Sequence, residues 1–228
     1  MAGQGIKDYG QEVLQVLESA LVGKVPEPMS IMLVQDFGRD PYLILIACLL
    51  SLRSRDVVTY HVCKELFKRV KTPQQMLKIS QDDLEAIIHK IGFFRRKATI
   101  LKEVSQQLID QFNGSVPETL EELLSIKGVG RKTANLVLAE AFNEPAICVD
   151  VHVHRLSNQL GLVDTKNPDE TEFALQKIFP QSQWREINRL LVMLGQNSCQ
   201  PMAKNCTFCL FFNHKNMHLR FGIKVVMP

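Results

Sequence analysis

At 228 residues the chain is long enough to bury one large core or two small ones. Its 46% hydrophobic and 22% charged residues are ordinary for a globular protein and exclude a low-complexity tract, while a net charge of +3 is too small to name a partner by itself. The opening MAGQGIKDYGQEVLQ lacks the basic-then-apolar pattern of a secretory signal. The longest apolar run, 42–52, is too short to span a bilayer. The expectation is an intracellular protein, in the cytoplasm or nucleoid if the host is bacterial, with no membrane partner.

Apolar residues recur almost everywhere at the helical period. Val13, Leu14, Val16, Leu17 and Leu21 share one face of a helix predicted over 9–21. Asp40-Pro41 opens a buried helix running to 52, with proline tolerated in its first turn. Helices follow over 56–70, 82–90 and 95–112, the last stopped by Asn113-Gly114. A short one over 117–125 carries Glu118, Glu121 and Glu122 near its positive end. The next, 131–142, is ended by Asn143-Glu144-Pro145, and helices over 151–160, 168–178 and 183–194 complete the series. Only 146–149 is a strand candidate. The reading is an all-α protein of roughly ten short helices.

Chemistry concentrates at Leu123-Leu124-Ser125-Ile126-Lys127-Gly128-Val129-Gly130-Arg131-Lys132-Thr133-Ala134. Two helices are joined here by Gly-Val-Gly. Gly128 and Gly130 allow positive φ and close approach, and Val129 between them can plug the space between the helices. The second helix then starts with unpaired N–H groups at a positive dipole end, a site suited to a backbone phosphate. Lys132 lies in that first turn beside Arg131, where its ammonium is destabilised; this is one route to a nucleophilic amine. The plainer reading is a phosphate-binding lysine. Asp150 follows in Ile147-Cys148-Val149-Asp150-Val151-His152-Val153-His154-Arg155, directly after an apolar run and heading a helix. It is expected to cap that helix and to face the catalytic cleft.

The run 126–134 with Val149-Asp150-Val151-His152-Val153 resembles the helix-hairpin-helix glycosylase superfamily, and within it the endonuclease III family. The likeness extends through Leu49-Leu50-Ser51 followed by Asp56, Ile91-Gly92-Phe93-Phe94, Lys97-Ala98 and Gly114-Ser115-Val116-Pro117. It implies two helical lobes flanking a DNA-binding cleft. One is a six-helix lobe over 34–144 with the helix-hairpin-helix at about 119–142; the other is built from 1–33 and 145–228 and ends in the Cys199–Cys209 loop. It further implies a monomer acting on damaged double-stranded DNA, from which the target nucleotide is flipped. Lys132 then attacks the sugar C1′, displaces the base and forms a Schiff base. Asp150 deprotonates Lys132 or stabilises the cationic sugar, and β-elimination cuts the strand 3′ to the lesion. Relatives that only remove the base typically lack this lysine, so its presence implies the bifunctional class, and the resemblance implies oxidised or ring-saturated pyrimidines as substrates.

By the same resemblance Gly128, Val129, Gly130, Arg131 and His152 contact DNA, and two loops fill the gap left by the flipped base. Those loops place Arg53 and Phe93 at the gap. The family usually has glutamine at the first position and often leucine at the second. Phe93 would act as an apolar wedge, against the default of a core phenylalanine. Arg95, Arg96 and Lys97 would suit the flanking phosphates.

Six cysteines stand at 48, 63, 148, 199, 206 and 209. Cys48 and Cys63 lie in apolar helical contexts and read as buried thiols. Cys199, Cys206 and Cys209 cluster like metal ligands, and from 199 to 228 there is no Asp or Glu beside Lys204, Lys215, Arg220 and Lys224. By resemblance their spacing matches three ligands of a four-cysteine [4Fe–4S] loop, yet Lys215 stands where the fourth belongs. Three readings stay open: a cluster with His214, His218 or an exogenous fourth ligand, a zinc site using one of those histidines, or a loop without metal. Two rival functions also stand, a base-only or mismatch-directed glycosylase and a non-catalytic helix-hairpin-helix module.

Overall fold

The computed structural model describes residues 2–199. In chain order its helices are α1 (Ala2–Leu21), α2 (Met29–Phe37), α3 (Pro41–Ser51), α4 (Asp56–Leu66), α5 (Pro73–Lys78) and α6 (Gln81–Ile88). They continue as α7 (Phe94–Phe112), α8 (Leu120–Ser125), α9 (Arg131–Ala141), α10 (Val151–Gln159), α11 (Pro168–Ile178) and α12 (Trp184–Asn197), with a 3-10 turn at Gln181–Gln183. No strand occurs among the described residues, and 146–149 forms neither helix nor strand. The all-α expectation holds. Among the described residues no helix is long and apolar enough to cross a membrane.

Two helices were not expected. α2 directly follows Pro28, and its mixed MSIMLVQDF gives only a faint apolar stripe. α5 has six residues, too few to display a period, and is started by Thr72, whose side chain accepts from Gln75 N, with proline at its first position. α4 ends at Leu66 rather than near 70. The chain leaves the helix there so that Phe67 and Val70 can turn into the core, where Phe67 meets Phe37 edge-on at 5.4 Å.

The chain divides into two compact units, Pro28–Glu144 and the remainder, residues up to Glu27 together with those from Pro145 onward. α2, split between lobes by the expected boundary at 34, lies wholly in the first unit. That unit is organised around α3, whose residues from Tyr42 to Leu50 are all buried. Asp40 caps it by accepting from Leu43 N at 3.0 Å. α2, α4, α7 and α9 pack around it. The Tyr42 hydroxyl is satisfied by Ser105 Oγ of α7 at 2.8 Å, and Arg39 Nη1 donates to Glu140 O near the end of α9 at 2.5 Å.

In the second unit α12 is the centre, packed against α1 and α10. Leu17, Leu21, Leu156, Leu175, Ile187, Leu190 and Leu191 form its core. Tyr9 donates to Leu160 O at 2.7 Å and Trp184 Nε1 to Phe179 O at 2.9 Å. The Arg189 guanidinium grips both oxygens of Glu27, with its Nε 2.7 Å from Oε2, tying the end of the first segment to α12. Gly10 sets the approach of α1, because a Cβ there would stand 2.9 Å from Ile178 Cγ2 and 3.1 Å from the Phe179 ring. Gly10→Val should therefore overpack this seam and cost about 1–3 kcal/mol, measured as a lower urea midpoint at unchanged helical circular dichroism.

Candidate active site

The hairpin is built by α8, a turn, and α9. Thr119 caps α8 and its hydroxyl pairs with Glu122, a reciprocal arrangement at the positive helix end. The turn then needs one left-handed residue, Gly128 at φ 96°, and an added Cβ there would stand in van der Waals contact with Ile100 of α7 at 3.4 Å. Val129 is buried as a plug, its amide held by Ile126 O at 3.0 Å. Gly130 differs from expectation: its φ is −96°, and a Cβ on it would meet nothing within 4 Å. No internal contact demands glycine there. Gly130 is the N-cap of α9, without a side chain to cap the helix, so the first amides of α9 remain oriented outward. Lys132 is the second residue of α9 and is exposed; Arg131 is half-buried.

Gln107 of α7 clasps this hairpin. Its Nε2 donates to Ser125 O at 3.1 Å and its Oε1 accepts from Lys127 N at 3.0 Å. Lys127 also reaches Glu103 of α7 at 3.7 Å. The sequence offered little sign of Gln107, a polar residue on an exposed helix face.

The two loops expected to fill the gap lie together in the same unit. Arg53 and Phe93 both adopt the left-handed conformation, with φ of 55° and 59°, which costs a side-chain-bearing residue about 1–2 kcal/mol. Phe93 is 66% exposed, so the core reading of this ring is set aside. Arg53 is exposed as well, and a Cβ on the neighbouring Gly92 would stand 3.6 Å from Arg53 O. Arg95 and Arg96 are exposed in the first turn of α7; Arg95 lies 5.4 Å from the Phe94 ring centre and 3.7 Å from Glu85.

Lys97 does not join them. It is 8% exposed and donates to Leu50 O at 2.7 Å and Leu52 O at 2.6 Å, so it holds the end of α3 rather than a phosphate. Burial pushes its ammonium down to about 8. A signal for this was present, since Lys97 continues the buried stripe of Leu101, Val104 and Leu108 at helical spacing.

In the other unit Asp150 is the N-cap of α10. Its Oδ1 accepts from both His152 N at 2.9 Å and Val153 N at 2.8 Å, leaving Oδ2 outside the cap. Asn188 of α12 donates to Cys148 O and steadies the approach to this cap. His152 is half-buried with its ring seated on Gly195 of α12, where any side chain would collide with it. Cys199 is buried, with Arg155 Nη1 3.5 Å from its Sγ and Nη2 donating to its carbonyl. A guanidinium beside the sulfur suits a thiolate ligand. Cys206, Cys209, His214, Lys215 and His218 lie outside the described residues, and among those described no group of three or more His, Cys, Asp or Glu is placed to hold a metal.

Residues 46–181 match the HhH-GPD superfamily of base excision DNA repair proteins. Endonuclease III of Thermotoga maritima is 44% identical over 183 residues, 80% of this chain and 86% of that protein. The chain belongs to the endonuclease III family. Among solved structures, a non-covalent endonuclease III–DNA complex matches with a TM-score of 0.80 and 32% identity, over 93% of this chain and 98% of that one. A trapped endonuclease III–DNA covalent intermediate matches with a TM-score of 0.78 and 33% identity, over 89% and 92%. An endonuclease III fold so closely shared makes the hairpin's anchor on α7 testable at one side chain. Gln107→Ala should remove both clasping bonds and speed hydrogen exchange at the Lys127 amide by about tenfold, with amides in the middle of α9 unaffected.

Proposed function

We propose that this chain removes oxidised pyrimidines from duplex DNA through a Schiff base on Lys132 and then cuts the strand 3′ to the abasic site. The activity class is that of its family, a base-excision repair glycosylase with abasic-site lyase activity on damaged DNA. The observation that carries the assignment of the nucleophile is an exposed lysine in the first turn of a helix that begins at a bare glycine. A phosphate held by the first amides of α9 would bring the sugar of a neighbouring nucleotide within reach of that lysine.

In the proposed reaction the neutral Lys132 Nζ attacks C1′, the bond from C1′ to the base breaks, and the departing base takes up a proton. The attached nitrogen gives up a proton, the C1′–O4′ bond breaks as O4′ is protonated, and the ring-opened iminium so formed makes the C2′ proton acidic. Its removal breaks the C3′–O bond and releases the 3′ phosphate, and water then frees Lys132 from the sugar. Asp150 takes the proton from Lys132 or stabilises the positive sugar, using Oδ2 while Oδ1 keeps the cap. Arg53 and Phe93 fill the space of the flipped nucleotide, Arg95 and Arg96 bind flanking phosphates, and Gly128, Val129, Gly130, Arg131 and His152 contact DNA.

Cys199, Cys206 and Cys209 are proposed to hold a metal centre, a [4Fe–4S] cluster or zinc, with the fourth ligand not a cysteine. Such a centre would supply folding energy by tying three thiolates of one loop, and no chemical step runs through it. Iron and zinc analysis of anaerobically purified protein, with its visible absorbance, separates the readings; absence of both metals would leave a bare loop.

Lys132→Gln should abolish borohydride trapping on a thymine-glycol duplex while duplex binding persists. A persistent adduct would show that another amine is the nucleophile. Asn caps helices about as well as Asp, so Asp150→Asn should leave the melting temperature nearly unchanged and slow base release by about a hundredfold or more. A large stability loss with normal turnover would reduce Asp150 to a cap.

A further inference from the structure

Among the described residues Lys97 is the buried lysine, and its contacts converge on the two loops that carry Arg53 and Phe93. Its ammonium donates to Leu50 O, in the last turn of α3, and to Leu52 O, which caps that helix and immediately precedes Arg53. Its backbone amide donates to Phe93 O at 3.0 Å. One residue thus binds the turn of Arg53 through its side chain and the turn of Phe93 through its main chain. Gly92 closes the pair from the other direction, since even a methyl group there would touch Arg53 O.

Neither loop residue holds itself in place. Arg53 and Phe93 are exposed and left-handed, so little side-chain packing of their own offsets the backbone strain. A strained conformation persists only when its surroundings over-determine it, and here those surroundings are the carbonyls that Lys97 grips. The C-terminal carbonyls of α3 have no partner within the helix, and an ammonium is the donor best matched to them.

We propose that Lys97 is a positioning residue for base extrusion, joining the Arg53 and Phe93 turns into one rigid wedge. It touches neither DNA nor the reacting sugar. The proposal rests on the reading that Phe93 enters the gap left by the flipped base. An unsupported wedge would still bind the duplex, but would spend part of its binding energy ordering itself, so base extrusion slows.

The test is a double-mutant cycle on single-turnover excision from a thymine-glycol duplex, using Lys97→Met, Phe93→Ala and the double variant, each checked for cooperative melting. Loss of charged hydrogen bonds to two carbonyls predicts about a tenfold to hundredfold slowing for Lys97→Met. Because Lys97 acts through Phe93, the double variant should be no more than about threefold slower than the slower single. Losses that multiply, or a wild-type rate in Lys97→Met, would overturn the proposal. A wild-type rate in Phe93→Ala would remove the wedge reading itself, and the positioning role with it. Should Lys97→Met fail to fold, Lys97→Arg carries the same cycle: its coupling with Phe93→Ala supports the role, and independent losses refute it.

Discussion

A helix buried on every side cannot lie at a surface, and α3 is such a helix. Its residues from Tyr42 to Leu50 all avoid water, so neighbours must enclose it, and α2, α4, α7 and α9 do so. Each fully buried aliphatic side chain contributes about 1.5–3 kcal/mol, which makes this arrangement hard to exchange for another. The consequence reaches the chemistry. α9, with Lys132 in its first turn, packs on one side of α3, and the Arg53 turn leaves its end. α9 and the Arg53 turn therefore take their positions from the same apolar rod.

α7 supplies the second constraint. From its first turn to its middle it presents Lys97 to the end of α3, Ile100 to Gly128, and Gln107 to the carbonyl and amide on either side of Ile126. These contacts differ in kind. The first is a buried ammonium on helix carbonyls, the second a van der Waals stop, the third a pair of neutral hydrogen bonds. Together they tie the α8–α9 hairpin and the strained loops to one helix, so displacement of α7 would disturb both.

Long periodic helices were legible in the sequence because burial of one face leaves a repeating mark. α7, α9, α10 and α11 stand close to their expected bounds, and Asp150 caps α10 as its place after an apolar run implied. α2 and α5 were not legible: one carries a weak stripe, the other is shorter than two turns. The site divided likewise. Gly128 could be placed from the turn chemistry of Gly-Val-Gly, whereas Gly130 turned out to need no special backbone. Lys97 looked like a surface cation because a basic run precedes it. Charge pattern and apolar period gave opposite answers there, and the period was the better guide. Gln107 acts across distant sequence, through contacts that no local pattern encodes.

The buried cysteines carry one further consequence. Cys48 is entirely enclosed within the unit that bears Lys132, and burial pushes its thiol up to about 12; burial raises Cys63 as well. Peroxides attack thiolate far faster than thiol, and only where it can be reached. The same close packing that fixes α3 thus keeps these sulfurs in their unreactive form. Oxidation of this unit would therefore have to begin elsewhere than at its two buried thiols.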